Sequence, residues 1–354
     1  MTNAVNIAQG GSNNVTMRNR IINGAMVIDQ RNAGAAWGTS INGFCVDRWA
    51  CYQSTTGKIN GGQNYNSLTP PTGYSSYIGV QSQSAYSVGA SDYYVFRQPI
   101  EGYNIADLSW GTASAATVTL SFWVRSSLTG TFGGSVSNGS VSYPFTYTIS
   151  SANTWEQKTV TIAGPSTGTW GSSNALGLYV YLGFGVGSTY SGTAGSWGAG
   201  NYYTATGATS VVGTNGATFY ITGVQLEAGT TASPFEYRQY GTELALCQRY
   251  YYLVASGTAS PISMSTYFLS GNLSGMFNFP VMRTSPTFTN TSGTNYYRNQ
   301  ANGTLDDFNS MTVDRVTPQT LMWYNVTEVS GTQGVGGVVY GISASSFIAL
   351  SAEL

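Results

Sequence analysis

Short segments in which apolar and polar residues alternate recur along this chain. From residue 178 to residue 186 every second side chain is Leu, Val or Phe, while Tyr179, Tyr181 and two glycines occupy the positions between them. Residues 118–124 repeat the pattern, with Trp123 on the polar face. A period of two places alternate side chains on opposite faces of a strand, so each segment predicts a strand with one face toward a core and one outward.

Further segments of this kind are separated by clusters of Gly, Asn and Pro that are typical of turns. The additional strand predictions are residues 44–53, 76–83, 93–98, 141–149, 156–163 and 218–226, followed later by residues 274–281, 287–289, 319–326, 337–342 and 347–352. Many short strands with such punctuation predict an all-β protein whose main body is an antiparallel jelly-roll β-sandwich.

One helix is predicted, over residues 241–252, with Thr242 as its N-cap. Leu244, Cys247 and Tyr251 fall on one stripe of this helix, and we expect that stripe to form an oligomer interface. The predicted organisation is an N-terminal anchoring arm (1–16), a jelly-roll β-sandwich (17–238), a linking helix (239–254) and a smaller C-terminal β domain (255–354).

The composition excludes several classes of function. The absence of His removes the commonest general acid–base group and rules out a Ser-His-Asp site. No spacing of Asp and Glu marks the carboxylate pair that glycoside cleavage needs. A net charge of -1 gives no electrostatic footprint for nucleic acid, and no apolar stretch is long enough for membrane insertion. We expect a non-enzymatic protein without a cofactor or a metal site.

Charged residues make up 8% of the chain, against about 25% in an ordinary soluble domain. So charge-poor a surface favours burial in an oligomer, and we expect a homotrimer. Residues 1–14 lack the basic and apolar regions of a secretory signal, so synthesis in a bacterial cytoplasm is expected.

The cysteines and one short motif predict structural roles. Cys45 and Cys51 are six residues apart in one expected strand, roughly 20 Å if extended. A disulfide needs Cα atoms within about 7 Å, so we expect reduced, mostly buried thiols, Cys247 included. In the same segment Asp47, Arg48 and Trp49 predict a structural knot in which Asp47 pairs with an Arg.

Exposed aromatic rings are the candidate glycan-binding residues, because the C–H faces of sugar rings pack on Trp and Tyr. Two places qualify, the outward strand face and the loop of residues 187–207, which can fold over that face and bring Trp197 near it. The candidates are Trp123, Tyr179 and Tyr181 on the face, and Tyr190, Trp197, Tyr202 and Tyr203 in the loop. The alternative is that these aromatics form a subunit interface or part of the core.

Three stretches resemble a broad family of tailed-bacteriophage virion proteins, usually labelled tail fibre, receptor-binding or minor structural proteins. The first is NRIINGAMVIDQRN at residues 19–32 together with VDRW at 46–49. The second is FYITGVQLEAG at 219–229, continuing to ELALCQRYY at 243–251, and the third is the ending SAEL at 351–354. Residues 54–217 match no motif of the family, and no catalytic residue is carried over.

The resemblance implies a jelly roll like that of carbohydrate-binding modules, in a virion protein assembled in the host cytoplasm. The leading hypothesis is a trimeric tail fibre or receptor-binding appendage that contacts host cell-surface glycans and joins other virion proteins through its N-terminal arm. The alternative is a capsid decoration, head-fibre or cement protein that stabilises the shell.

Overall fold

The computed structural model describes residues 17–354, which divide between Arg238 and Gln239 into two units. Leu354 groups with the first unit, and the second runs from Gln239 to Glu353. The predicted anchoring arm, residues 1–16, lies outside the described residues. No helix within residues 17–354 has the length and hydropathy needed to cross a membrane.

The first unit is a β-sandwich. In chain order its strands are β1 (Gly43–Val46), β2 (Trp49–Gln53), β3 (Ile59–Gln63), β4 (Ile78–Ser82), β5 (Tyr93–Glu101), β6 (Val118–Ser126), β7 (Gly130–Ser137), β8 (Val141–Ile149), β9 (Glu156–Ile162), β10 (Leu176–Val186), β11 (Ser191–Gly192), β12 (Gly198–Ala199), β13 (Thr204–Ala205) and β14 (Thr218–Ala228). Short 3-10 turns occupy Tyr65–Ser67, Gly102–Asn104, Ala106–Leu108 and Ser188–Tyr190.

Two antiparallel sheets form the sandwich. The seven-stranded sheet has the order β1-β2-β5-β10-β7-β8-β12, and the five-stranded sheet has the order β3-β4-β14-β6-β9. The chain passes repeatedly from one sheet to the other, which gives a jelly roll. The inward side chains of β10, such as Leu178 and Val180, share one buried core with Leu120 and Phe122 of β6. The alternation in residues 118–124 and 178–186 therefore predicted these strands and their inner faces correctly.

One predicted strand is wrong, because residues 44–53 form a hairpin. β1 and β2 turn at Asp47 and Arg48, where Arg48 has a φ of 68°, and Gly43 pairs with Cys51. Cys45 and Cys51 thus lie on adjacent strands and are not at the two ends of one strand. Both thiols are free and fully buried, and burial raises the pKa of each. The third cysteine, Cys247, is buried as well.

The N-terminal stretch of residues 19–32 forms a buried hydrogen-bonded knot with this hairpin. Asn23 Nδ2 donates to Ile28 C=O at 2.8 Å and to Asp47 C=O at 2.9 Å, and Trp49 Nε1 donates to Asn23 C=O at 3.1 Å. The Asp47 carboxylate accepts from the backbone and side-chain amides of Gln30, at 2.7 and 2.6 Å. These hydrogen bonds give the segment a structural role, because they join it to the hairpin.

The same N-terminal segment is hydrogen-bonded to residues 219–229, most of which belong to β14. Asn19 donates through Nδ2 to Val224 C=O at 3.1 Å and accepts from Leu226 N–H at 3.0 Å. The exit from the sandwich is fixed at the same place, because Glu236 accepts from Asn19 N–H at 2.8 Å and from Arg238 at 3.1 Å. Residues 19–32 and residues 219–229 thus lie at one structural junction.

The second unit is also β-rich. It begins with α1 (Tyr240–Gln248) and continues with β15 (Tyr251–Ser256), β16 (Pro261–Leu269), β17 (Asn272–Asn278), β18 (Thr287–Asn290), β19 (Tyr297–Ala301), β20 (Thr304–Phe308), β21 (Thr312–Val316), β22 (Thr320–Asn325), β23 (Gly336–Gly341) and β24 (Phe347–Ser351). The sheets have the orders β15-β24-β18 and β20-β19-β23-β16-β17-β22-β21. Trp323, Tyr297 and Phe308 are fully buried in their core.

The predicted helix is shorter than expected, and its stripe does not form. The helix starts after Gln239, and neither Thr242 nor any other side chain caps it. It ends at Gln248 because the chain enters β15, where Tyr251 pairs with Ser351. Cys247 and Tyr251 are 0% and 5% exposed within the chain, and Leu244 is half-buried. These residues therefore do not present the continuous exposed stripe that an oligomer interface on the helix requires.

Candidate functional site

A loop folds over the outer face of the seven-stranded sheet. It leaves β10 at Gly187, whose N–H donates to Asp92 C=O at 2.8 Å, and Thr189 N–H donates to Ala90 C=O at 2.9 Å. Within the loop β11 and β13 pair in parallel. These contacts anchor the start of the loop, while its residues Gly198–Ala199 (β12) extend the seven-stranded sheet by pairing with β8.

Two glycines allow the loop to approach the sheet closely. Gly133 of β7 and Gly183 of β10 are paired across the two strands, and Thr204 of β13 lies directly over them. A Cβ atom on Gly133 would overlap Thr204 Oγ1. Because Gly133 has no side chain, the loop can pack closely against the sheet at this point.

Six tyrosines gather where the loop meets the sheet. We call them the tyrosine cluster: Tyr52, Tyr93, Tyr179, Tyr181, Tyr190 and Tyr203. Tyr203 stacks on Tyr181 with ring centroids 4.6 Å apart and on Tyr190 with centroids 4.8 Å apart. Tyr93 meets Tyr190 and Tyr203 edge-on, each at 5.5 Å. Loop and sheet thus build one continuous aromatic surface.

Arg97 is the charged residue within the tyrosine cluster. It lies on β5, paired with Tyr181 of β10. Its guanidinium carbon is 4.3 Å from the ring centroid of Tyr52 and 4.5 Å from that of Tyr179. Its Nη2 donates to the Tyr52 hydroxyl at 3.0 Å. Cation–π contact with two rings holds the guanidinium in one position.

An open cavity of about 150 Å³ lies among these side chains. Its lining residues are Tyr52, Tyr93, Val95, Arg97, Tyr181 and Tyr203. A cavity of about 150 Å³ in a protein core accepts a benzene ring, whereas pockets for drug-sized ligands measure about 300–1,000 Å³. The cavity can therefore take one six-membered ring or a substituent of such a ring.

The hydroxyls of Tyr181 and Tyr203 are uncharged at neutral pH. Burial raises the pKa of the Tyr181 hydroxyl, although Arg97 partly opposes the shift. Burial also raises the pKa of Tyr203, with a further contribution from Tyr190. Neutral phenols both donate and accept hydrogen bonds, so they suit a ligand that carries hydroxyl or carboxylate groups.

Four of the seven predicted glycan-binding residues meet in the tyrosine cluster, namely Tyr179, Tyr181, Tyr190 and Tyr203. Their exposure differs from the prediction in one respect. Tyr181 is only 2% exposed because Tyr203 covers it, so Tyr203 presents the more accessible ring. The sequence showed that Tyr179 and Tyr181 leave the core, but not that the loop would stack on them.

Trp123 and Tyr202 do not join the cluster. Trp123 lies on β6 of the five-stranded sheet, paired with Thr222 of β14, and its indole contacts the Tyr74 hydroxyl. The prediction that Trp123 shares a face with Tyr179 and Tyr181 is therefore wrong, because the two strands belong to different sheets. Tyr202 packs its ring against Gly192 and Gly200 within the loop.

Trp197 is also placed elsewhere. Its ring lies edge-on to Trp110 and Trp170, with centroids 5.5 and 5.4 Å away, and its Nε1 donates to Ala163 C=O at 2.7 Å. Tyr143 approaches it to 5.4 Å. The expectation that the loop would bring Trp197 to the outward face is wrong, because this ring packs in a Trp cluster beside the core.

Three residues of the site were missed from the sequence: Tyr52, Tyr93 and Arg97. The alternation in residues 93–98 already places Tyr93 and Arg97 on one face, since Tyr94 and Phe96 are buried in the core. That signal could have found both residues. Their proximity to Tyr181 follows only from the pairing of β5 with β10, which the sequence does not display.

The second unit contains a smaller polar site beside Asp306. The Asp306 carboxylate accepts from the Tyr267 hydroxyl at 2.6 Å and from Ser330 N–H at 2.8 Å, in a cavity that also adjoins Thr304 and Gly331. Burial and the neighbouring carboxylate raise the pKa of Tyr267 to about 12. Within residues 17–354, no three His, Cys, Asp or Glu residues are grouped so that they could hold a metal ion.

No protein-family model and no curated protein matches the sequence. Among solved structures, the enzymatically active domain of bacteriophage CBA120 tailspike protein 4 is similar at 13% identity with a TM-score of 0.34, over 60% of this chain. The family 11 carbohydrate-binding module from Clostridium thermocellum, in complex with a mixed-linked tetrasaccharide, matches at 11% identity and TM-score 0.29, covering 53% of this chain and 92% of the module.

The N-terminal CBM22-1-CBM22-2 tandem domain from Paenibacillus barcinonensis Xyn10C matches at 8% identity and TM-score 0.28, covering 92% of this chain and 100% of the tandem domain. The chain spans only 22% of the length of the tailspike chain it matches.

Proposed function

We propose that this chain is a bacteriophage virion surface protein that binds host cell-surface glycans through the tyrosine cluster. The sequence resemblance at residues 19–32 and 219–229 supports the virion assignment. The observation that carries the binding role is the loop of residues 187–207, which brings Tyr190 and Tyr203 onto the sheet beside an open cavity. In this proposal residues 1–16 join the protein to other virion components.

The geometry supplies the two kinds of contact that a sugar needs. The half-buried rings of Tyr93 and Tyr203 line the cavity and offer apolar contact to the C–H groups of a pyranose, and the neutral hydroxyls of Tyr181 and Tyr203 offer hydrogen bonds. Aromatic contacts are worth about 0.5–1.5 kcal/mol each, so a single site binds weakly. A trimer that presents three sites gains the avidity needed to hold a cell.

The site is proposed to bind without catalysis. Glycoside cleavage uses two carboxylates flanking the scissile bond. The lining of the cavity consists of tyrosines, Val95 and Arg97, and it contains neither Asp nor Glu. The groups present can hold a sugar but supply no carboxylic acid to protonate a leaving oxygen.

Adsorption of the purified protein to host cells tests the proposal. Tyr203→Ala removes the accessible stacking ring and should weaken each site about fivefold, with a larger loss after avidity. Trp123→Ala is the matched control, because it removes an aromatic ring from the opposite sheet. If Tyr203→Ala adsorbed like the wild type while remaining folded, or if the wild type bound no host envelope fraction, glycan binding would be the wrong function.

A capsid decoration protein is the second candidate, and a specific surface favours it. A row of apolar side chains crosses four neighbouring strands of the second unit, from Val338 through Met264 and Met276 to Met322. Met264 and Met276 are 68% and 52% exposed. Clustered exposed apolar residues are typical of protein contact surfaces. Imaging of particles that locates the subunit on the head or on the tail discriminates the two candidates.

A further inference from the structure

Arg97 differs from the arginines of this sparsely charged chain that form ion pairs. Arg20 lies 2.6 Å from Asp107, Arg238 lies 3.1 Å from Glu236, and Arg298 lies 2.5 Å from Asp307. Among residues 17–354 Arg97 has no carboxylate within ion-pair distance, and residues 1–16 contain no Asp or Glu. The cavity therefore carries one positive charge that the protein does not neutralise.

The guanidinium also retains hydrogen-bonding capacity. Arg97 Nε is buried and donates to no atom of the described residues, while Nη2 donates to the Tyr52 hydroxyl. A buried donor without an acceptor costs free energy, so an acceptor on a ligand that reached Nε would be bound favourably. The flanking rings of Tyr52 and Tyr179 restrict the guanidinium, so little side-chain entropy is lost when it binds.

We propose that the tyrosine cluster binds an acidic sugar, with the carboxylate of a hexuronic acid on Arg97 and the sugar ring against Tyr203 and Tyr93. The planar guanidinium fork matches a carboxylate in two parallel hydrogen bonds. One carboxylate balances the one charge of Arg97, whereas a phosphate monoester brings about −1.5 to −2 and leaves an excess. This inference rests on the proposed function and specifies its ligand.

Calorimetry with matched sugars tests the inference on the full chain. The probes are oligosaccharides of glucuronic and galacturonic acid, each paired with its neutral glucose or galactose counterpart, together with glucose 6-phosphate and acetate. We expect the wild type to bind the acidic oligosaccharide that it prefers about tenfold more tightly than the neutral counterpart of that oligosaccharide. Rising salt should reduce this difference.

Two variants assign the difference to Arg97. Arg97→Gln should remove the preference for the acidic sugar, so that the ratio of acidic to neutral sugar affinity falls to about one. Arg125→Gln is the matched control, because Arg125 is a half-buried strand arginine on the five-stranded sheet, and it should keep the preference. The wild-type comparison of acidic and neutral sugars decides the question by itself if Arg97→Gln does not fold.

The outcomes separate this inference from the function on which it rests. Equal wild-type affinity for acidic and neutral sugars, with both lost in Tyr203→Ala, would overturn the inference and leave glycan binding intact. Tighter binding of glucose 6-phosphate than of glucuronate would overturn the assignment of a carboxylate. Acetate binding as tightly as glucuronate would show an anion site in which the sugar ring plays no part. No binding of any sugar would overturn glycan binding and the inference together.

Discussion

At the scale of single residues, we expect Trp197 to contribute to the stability of the fold and not to glycan binding. Its ring packs against Trp110 and Trp170 and its Nε1 donates to Ala163 C=O. Replacement of a buried Trp by Ala costs about 3–5 kcal/mol, and because Trp197 is half-buried we expect Trp197→Ala to lower the free energy of unfolding by about 2 kcal/mol. Chemical denaturation measures this loss. Weaker glycan binding at unchanged stability would contradict the packing role.

Gly133 is the residue on which the seating of the loop depends most directly. Gly133→Ala places a methyl group against Thr204 Oγ1, so the loop must move away and carry Tyr203 with it. We expect glycan affinity to fall at least fivefold, with a smaller effect on the melting temperature. Gly43→Ala is the control, because a Cβ atom on Gly43 of the same sheet meets no neighbour. Equal glycan affinity of the two variants would show that the loop position does not govern binding.

At the scale of elements, the hairpin β19–β20 carries an ion pair that makes the stability of the folded state depend on pH. Arg298 and Asp307 face each other across the two strands, with Nε and Nη2 at 2.5 and 2.8 Å from the carboxylate oxygens. The hydrogen bonds from Arg298 lower the pKa of Asp307. The lowered pKa means that the pair stabilises the folded state above the unfolded pKa of Asp, about 3.9, and that this contribution disappears as the pH falls through the folded value.

Asp307→Asn should therefore reduce stability at pH 7 by about 0.5–1 kcal/mol, a value limited by partial exposure of the pair. The difference from the wild type should be smaller at about pH 2 than at pH 7, because protonation of Asp307 leaves both proteins with an uncharged side chain. Asp314→Asn is the control, because its Arg315 contact of 3.8 Å is exposed. Thermal unfolding of the three proteins at both pH values measures the effect, and an equally large difference in acid would refute the electrostatic explanation.

The elements also show how far the sequence can predict this fold. Period-two alternation identified β6 and β10 and their inner faces, because a strand buried on one side repeats every second residue. Residues 44–53 keep the same alternation through a turn at Asp47 and Arg48, so the sequence pattern does not distinguish the hairpin from one continuous strand. The end of the helix was missed for a different reason. Tyr251 leaves the helix to pair with Ser351, and a partner a hundred residues away in sequence leaves no local signal.

The sequence predicted the candidate site only in part, as it did the fold. Alternation placed Tyr179 and Tyr181 outside the core, and glycine content marked residues 187–207 as a loop able to cover them. The pairing of Arg97 with Tyr181 and of Tyr52 with Val95 depends on the register between strands, which no local pattern encodes. Arg97, Tyr52 and Tyr93 were therefore missed, although the other four tyrosines of the cluster were among the predicted residues.

At the scale of the whole molecule, the remaining prediction concerns assembly. The chain has only 13 basic and 14 acidic residues in 354, so little charge protects its surface from contact with other copies. Weak single glycan sites also need to be presented together to hold a cell. We expect a homotrimer, whose mass by light scattering is three times the 37.5 kDa of one chain.

Avidity gives this prediction a second measurement. If three sites act together, the apparent affinity for a surface coated densely with glycan should exceed the affinity for the soluble sugar by about a hundredfold or more, and the excess should disappear on a sparsely coated surface. Tyr203→Ala should lower the soluble-sugar affinity about fivefold and the dense-surface affinity by much more, because the loss multiplies over the bound sites. A 37.5 kDa species at micromolar concentration, with equal affinity on dense and sparse surfaces, would show that the protein binds as a monomer.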